Sequence, residues 1–354
     1  MRDDLGLTYA EIGLALAIPG FVGSALDPVV GVLGDTGRRR LVMVLGGVAF
    51  ALSAALVSTA LGFWMLVAAL VLGNPASGAF VSLAQATLMD LAPAQRERNM
   101  ARWTLAGSFG YVGGPLLLAF ALSVGAGWRA AIALLAVAAL PLAFAVRSLP
   151  AAPDATDTSR AWHHAFAALR NREVLRWLVL LEAADLLLDI FHGYLALYLV
   201  DVARTDARFA ALGVAVWTGA SLVGDWLLLF VLRRVSGRRY LRVSAVAALV
   251  VYPAFLLAPG LFAKLTLVAA LGLLNSGWYA IPKAGLYESL PGRSGAAVAV
   301  GGAGGLVGAC VPLVLGVLAG AVGLGPTMWI LLLAPVALLA LVPQSASGTS
   351  SASP

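Results

Sequence analysis

The sequence predicts an all-α membrane protein built from two pseudo-symmetric helical bundles. Three observations lead to this fold class: an apolar composition, apolar runs long enough to cross a bilayer, and an internal repeat. Of the 354 residues, 61% are apolar and only 11% are charged. A soluble chain of this length could not keep so much apolar surface in water, so the helices are expected to lie in lipid.

The apolar runs between polar breaks give eleven predicted spans, each near the ~20 residues that cross the hydrocarbon core as a helix. They cover 9–33, 41–60, 63–89, 101–124, 128–147, 175–200, 208–232, 242–259, 263–285, 294–322 and 325–343. Most of the 23 Lys and Arg residues lie in one set of the loops between these spans. Those loops are predicted to face the cytoplasm, in a multi-pass protein of the inner membrane. Because the net charge of +6 is explained by topology, nucleic acid is not expected as a partner.

An internal repeat relates the two halves of the chain by an offset of 198 residues. The related pairs are Asp27 and Asp225, Asp90 and Glu288, Pro93 and Pro291, Gly107 and Gly305, and Gly110 and Gly308. The repeat predicts an N-terminal bundle over 1–147 and a C-terminal bundle over 175–343. A linker, 148–174, joins them and could form an interfacial helix from Ser159 onward, while the tail 344–354 is predicted to be disordered.

The repeat leaves one predicted span without a counterpart. The mate of 175–200 would fall before Met1, so the expected arrangement has twelve helices, of which about eleven are in this sequence. Either the start codon was assigned too late or the chain is truncated.

Two stretches resemble motifs of the major facilitator superfamily. Residues 31–40, GVLGDTGRRR, are similar to the signature loop between the second and third helices of that family. Residues 107–119, GSFGYVGGPLLLA, resemble its Gly-rich, Pro-ending antiporter motif. The resemblance implies the general-transporter fold, no cofactor, and drug/proton-antiporter-like exchange. The sequence departs from drug/proton antiporters near Ala69, where their usual arginine is replaced by apolar residues.

The first motif is predicted to be a latch. Asp35 can hold cationic neighbours or cap a helix N-terminus, and the arginines can reach carboxylates such as Asp90. Topology alone is the alternative, because any basic loop satisfies the positive-inside rule. The predicted gating residues are Asp35, Gly37, Arg38, Arg39, Arg40 and Asp90. In the second motif, helix packing and a bend are the default roles of Gly107, Gly110, Gly114 and Pro115.

The predicted span 175–200 carries four ionisable residues at spacings of 3, 4 and 3. On a regular helix, Glu182, Asp185, Asp189 and His192 would lie within about 80° of one another. Each ionised group in hydrocarbon costs about 3 kcal/mol even on lenient scales, so such a stripe must face water, partners or a cavity. We interpret it as a proton-coupling pathway; a polar seam satisfied by neighbouring helices is the alternative.

Asp27 joins the predicted proton-coupling set, although a structural role for it and for its repeat mate Asp225 is equally consistent with the pattern. The candidate substrate cavity is lined by polar and aromatic side chains within spans. These candidates are Asn74, Gln85, Trp217, Asp225, Asn275, Trp278 and Tyr279. Each could instead join neighbouring helices through hydrogen bonds and packing.

Taken together, the sequence predicts a proton-coupled exporter of a small organic solute that works by alternating access as a monomer. Proton-coupled uptake of a metabolite, a receptor or scaffold that has lost transport, and a truncated transporter are the alternatives. The sequence shows no enzyme motif, so no catalytic residue is predicted. No metal site is predicted either, because His163 and His164 lack ligand spacing and Cys310 is the single cysteine.

Overall fold

The computed structural model describes residues 2–7, 9–148, 157–308 and 310–343, and the predicted disordered tail lies outside them. Among the described residues the chain is helical with no strand, as predicted. The first helices are α1 (Arg2–Leu5), α2 (Tyr9–Gly34), α3 (Arg39–Ser58), α4 (Phe63–Ser77), α5 (Leu83–Leu91), α6 (Arg96–Ser123), α7 (Gly127–Ala145) and α8 (Thr158–Ala168). A π-turn over Gly78–Ser82 joins α4 to α5, so 63–91 is one continuous helix.

The remaining helices are α9 (Arg172–Asp185), α10 (Phe191–Leu197), α11 (Ala207–Val231), α12 (Gly237–Leu257), α13 (Leu261–Leu274), α14 (Ala280–Glu288), α15 (Ser294–Gly308), α16 (Val311–Val322), α17 (Leu324–Met328) and α18 (Leu333–Leu341). π-turns over Leu186–Ile190 and Tyr198–Val202 flank α10. In the linker, the segment predicted to form a helix from Ser159 onward is helical as α8. Its Ala161, Ala165 and Ala168 are buried.

Eight helices of the described part of the chain are long and apolar enough to cross a membrane. The acidic segment 172–202 is not one of them, and the predicted spans 263–285 and 294–322 are each divided between two helices. The count of eleven spans therefore stays a prediction. Large apolar side chains such as Leu45, Phe120 and Val250 are exposed, as expected where helices face lipid.

The helices pack into two compact units that do not follow the repeat. Unit 1 comprises 1–178 and 284–313, and unit 2 comprises 179–283 and 314–354. In unit 1, α3 packs on α4 and α7, and α2 packs on α4 and α15. In unit 2, α13 packs on α11 and α12, and α12 packs on α18. The units reflect which helices touch, so the repeat-based division into 1–147 and 175–343 stays a prediction.

Each unit has its own core. In unit 1, apolar residues of α3, α4 and α7 surround Trp128, whose indole N–H donates to Asp4 at 2.7 Å. In unit 2, Phe191 lies at the centre of an aromatic cluster with Trp217, Tyr252 and Phe255, at ring-centre distances of 4.9, 5.6 and 5.4 Å. The edge-to-face contacts fix α10 against α11 and α12.

Candidate functional site

The loop between α2 and α3 is fixed to the N-terminus of α15. The carboxylate of Asp35, only 4% exposed, accepts the backbone N–H of Gly295 at 2.6 Å and that of Ala296 at 2.8 Å. These N–H groups belong to the first turn of α15, where no carbonyl of the helix itself can accept them. The negative charge also lies at the positive end of the helix dipole. The Asp35 side chain is thus a cap on a helix some 260 residues away in the sequence.

The ionisation of Asp35 depends on these donors. Burial raises the pKa of the Asp35 carboxyl, while the N–H groups of Gly295 and Ala296 and the charge of Arg39 act in the opposite direction. A carboxylate this deeply buried is tolerated because its oxygens are hydrogen-bonded and a cation lies near.

Of the three arginines in this motif, Arg39 is the buried one. Its Nη1 donates to Asp90 Oδ2 at 2.7 Å and its Nη2 to Ser294 Oγ at 2.7 Å. Its Nε donates to the Gly34 carbonyl at 2.5 Å, and Nη2 lies 3.5 Å from Asp35. The Ser294 hydroxyl donates in turn to Asp90 at 2.5 Å. One guanidinium therefore joins the end of α2, the end of α5 and the start of α15.

The other predicted residues of the loop do not take part in this network. Gly37, Arg38 and Arg40 are exposed, whereas Arg39 is 3% exposed. The structure thus brings together Asp35, Arg39 and Asp90 and leaves the two flanking arginines at the surface.

The backbones of α2 and α15 approach closely next to this network. A Cβ atom at Gly31 would overlap backbone atoms of Gly295 and Ala299, and one at Gly302 would overlap the Asp27 side chain. The pairing of residue 31 with 299 and of 27 with 302 shows that the two helices run antiparallel. Only small residues allow this approach, so Gly31 and Gly302 determine how closely α2 and α15 pack.

A second polar contact joins α5 to α14. The Tyr287 hydroxyl donates to Gln85 Oε1 at 3.2 Å, and both side chains are buried. The indole of Trp177 covers Gly285, where a Cβ would overlap the ring. The Tyr287–Gln85 hydrogen bond therefore holds the second sequence half to the first at one further point within unit 1.

Helix α8 lies over the α2–α15 contact. Ala161 and Ala165 pack in one cluster with Val32 of α2 and Ala299 of α15. His164 is on the same face of α8, and burial together with Arg293, His163 and Arg160 lowers the pKa of its imidazole. The imidazole is therefore favoured in its neutral form while α8 is docked.

In unit 2 the structure brings two of the four predicted proton-coupling residues of 175–200 close together. The side chains of Asp185 and Asp189 lie close enough to interact electrostatically. Glu182 interacts with Lys283 and also with Asp185. The stripe predicted for a regular helix is interrupted, because the π-turn over Leu186–Ile190 changes the number of residues per turn between Asp185 and His192.

Most of the candidate cavity residues are buried in helix contacts. Trp278 is fully buried and donates to Ser244 Oγ at 2.8 Å, and Trp217 packs against Phe191. Asn275 donates to the Leu187 carbonyl at 2.9 Å. In this conformation a solute could not reach these side chains, nor Gln85 or Asp225, so the interhelical alternative describes their placement. Only two of the seven candidates have exposed side chains, Asn74 and Tyr279.

The glycines of the second motif are not in the close helix contact expected of them. At Gly107, Gly110 and Gly114, a Cβ would meet no described residue within 4 Å, and Pro115 lies within the unbroken helix α6. These positions are open in this conformation, and the packing role of the residues stays a prediction.

Ser294 and Tyr287 are site residues that sequence reasoning missed. Ser294 follows a Pro-Gly-Arg turn and opens α15, and a serine at a helix start is a signal that could have identified it. Tyr287 gave no such signal, because its partner Gln85 lies in another helix.

Comparisons with known proteins agree with this architecture. The sequence model described as Major Facilitator Superfamily matches residues 1–300. A chloramphenicol resistance protein of Streptomyces lividans is 31% identical over 290 residues, covering 78% of this chain and 71% of that protein.

Solved structures show the same fold. A single-residue variant of the E. coli fucose:proton symporter FucP superimposes with a TM-score of 0.78 at 17% identity, covering 95% of this chain and 92% of that one. FucP in the outward conformation superimposes with a TM-score of 0.79 at 17% identity, covering 96% of this chain and 91% of that one. The signature loop, the helical architecture and the family match agree: this chain belongs to the Major Facilitator Superfamily, whose members are transporters and not enzymes.

Proposed function

We propose that the protein exports a small organic solute across the inner membrane in exchange for protons, by alternating access. The observation that carries alternating access is the contact between the Asp35 carboxylate and the first turn of α15. In the proposed cycle this contact holds the cytoplasmic side closed, and it consists of a few hydrogen bonds that water can replace when that side opens.

The gate is a latch with three layers. The buried Asp35–Arg39–Asp90 network is the first layer, the glycine contact of α2 with α15 lies next to it, and α8 covers the α2–α15 contact. All three would have to separate together for the cytoplasmic side to open. The similarity to FucP in the outward conformation supports the assignment of this arrangement to the state closed toward the cytoplasm.

The proximity of Asp185 and Asp189 supports proton coupling. Asp185 and Asp189 lie four residues apart in an apolar segment and interact with each other. Two carboxylates this close repel each other when both are ionised, so the pair favours the uptake of one proton. A helix that holds such a pair can load the proton on one side of the membrane and release it on the other. Lys283, which lies opposite Glu182, can respond to the change of charge.

Export is favoured by the antibiotic-resistance relative, because resistance follows when a transporter removes the antibiotic from the cell. Chloramphenicol is a small, uncharged organic solute, and we take that class as the first to test. Uptake is the second candidate, since FucP is a fucose:proton symporter.

The test is solute flux in inside-out membrane vesicles whose lumen is acidified. An exporter that exchanges protons accumulates radiolabelled chloramphenicol in the lumen, whereas a symporter drives solute out of it. The double variant Asp185→Asn/Asp189→Asn should accumulate none, and the exposed Asp201→Asn on the same helical segment is the matched control. Accumulation that does not respond to the pH gradient would refute proton exchange.

A further inference from the structure

The predicted span 263–285 is broken at its middle. Helix α13 ends at Leu274 and α14 begins at Ala280, and the chain turns through Gly277 with a φ of +84°. The Trp278 N–H donates to the Asn275 carbonyl at 3.0 Å and closes this turn. Asn275 lies at this break, directly after α13, and its side chain contacts the acidic segment at Leu187.

The acidic segment has its own irregularity at the same level. In a regular α-helix the Leu187 carbonyl would accept the N–H of Phe191. Here the Phe191 N–H is directed to the carbonyls of Leu186 and Leu188, because the π-turn inserts an extra residue. The Leu187 carbonyl accepts the Nδ2–H of Asn275 at 2.9 Å instead.

This hydrogen bond is buried and specific. Asn275 is 2% exposed, and its Oδ1 has no hydrogen-bond partner among the described residues. The orientation of the amide is therefore determined by the Leu187 carbonyl, which needs a donor. An unpaired buried acceptor costs free energy, so the burial of this amide calls for an explanation. The hydrogen bond that its Nδ2–H donates to Leu187 supplies one.

The π-turn determines the relation between the two carboxyl groups. Asp185 directly precedes the turn and Asp189 lies within it, so the shape of the turn sets the separation of their side chains. The other ionisable groups near this pair are Glu182 and His192 on the same segment and Lys283 opposite Glu182. Helix α18, which packs against the turn, has no ionisable residue.

We propose that Asn275 is a positioning residue for proton coupling: its amide holds the π-turn through the Leu187 carbonyl and so sets the separation of the Asp185 and Asp189 side chains. This inference rests on the proposed function, because it assigns Asn275 to the same proton-carrying pair. Without the amide, the turn can relax toward a regular helix and the two carboxyl groups change their separation. Their affinity for the shared proton then changes with it.

The test follows the proton directly and needs no solute. Infrared spectra of the purified protein in lipid, recorded against pH, report the band of protonated carboxyl groups. The Asp185→Asn/Asp189→Asn variant identifies the part of the band that belongs to the pair. Asn275→Leu, which keeps the branched shape and the number of side-chain heavy atoms but removes the donor, should move the pH midpoint of that part by at least about half a unit.

Two further variants separate positioning from a general loss of packing. Ser244→Ala removes a buried hydrogen bond of similar length, to Trp278, and should leave the midpoint unchanged. Asn275→Gln keeps the donor, and its pH midpoint should lie between those of the wild type and Asn275→Leu. If Asn275→Leu does not fold, Asn275→Gln takes its place in the test.

The outcomes distinguish the two proposals. If the double Asn variant removes no titrating band, the pair carries no proton and the proposed coupling is wrong. If the band is present but Asn275→Leu leaves its midpoint in place, coupling stands and the positioning role of Asn275 is wrong. A midpoint that Ser244→Ala moves as far as Asn275→Leu would also overturn the positioning role.

Discussion

Replacing Asp35 by Asn tests the latch with the smallest possible change of shape. The wild-type carboxylate accepts one N–H with each oxygen, from Gly295 and from Ala296. Asparagine keeps one acceptor and places its own N–H₂ group against the second N–H. The variant therefore leaves a buried backbone donor unpaired and removes the negative charge from the start of α15.

The magnitude follows from these two losses. An unpaired buried N–H costs about 1–3 kcal/mol, and a charge at a partly buried helix N-terminus contributes up to about 2 kcal/mol. Only the closed state loses these interactions, because in the open state water solvates both groups. A shift of about 3 kcal/mol toward the open state is expected, which is roughly a 100-fold rise in its population while it remains the minor state.

The assay is the rate at which a membrane-impermeant maleimide labels a cysteine inside the gate. Val32→Cys is suitable, because Val32 is 1% exposed, lies between α8 and α15, and is larger than the cysteine that replaces it. The exposed native Cys310 is first replaced by serine. In inside-out vesicles, Asp35→Asn should raise the labelling rate of the introduced cysteine by up to about 100-fold.

Arg40→Gln is the matched control, because it changes the charge of the same loop at an exposed position. Its labelling rate should stay within about twofold of the parent, as expected for a surface substitution. If the introduced cysteine in Asp35→Asn is also labelled at a rate within about twofold of the parent, the cap does not hold the gate closed and the latch hypothesis is wrong.

Two further predictions concern the same region. Arg39→Gln leaves buried carboxylates without their cation and should lower the stability of the purified protein by about 3–5 kcal/mol, whereas exposed Arg38→Gln should stay within about 0.5 kcal/mol. Thermal melting of the two variants decides this, and equal melting temperatures would contradict the buried network. The pKa of His164 is lowered when α8 is docked, so the neutral imidazole favours docking. Docking is therefore complete above the ordinary histidine pKa of about 6.5, and it weakens as the pH falls through the lowered pKa. Hydrogen exchange of the α8 amides should therefore accelerate on acidification, and His164→Gln should remove that acceleration.

Much of the fold was predictable, because the features that specify it are local in the sequence. Apolar runs between charged breaks specified where most helices lie, and the spacing of Asp35 to Arg40 indicated the family and the loop. The breaks within helices were less visible. Gly277, whose positive φ allows the turn after α13, lies in a stretch that is apolar enough to continue as one span.

The candidate site was predictable only in part, because residue type and spacing do not specify distant partners. The sequence pointed to a latch with three equivalent arginines, and nothing in their spacing separated Arg39 from its neighbours. The tertiary structure selected Arg39, because it alone among the three lies where Asp90 and Ser294 converge.

The acidic segment shows the same limit. Its carboxylates stood out from the sequence by type, because ionisable residues in an apolar run are costly. Their arrangement depends on a π-turn and on Asn275, which is 88 residues from Leu187. The sequence alone determined a membrane protein of this superfamily with a basic signature loop and an acidic helical segment. Only the tertiary structure decided which side chains complete each site, because those contacts arise from the packing of helices far apart in the chain.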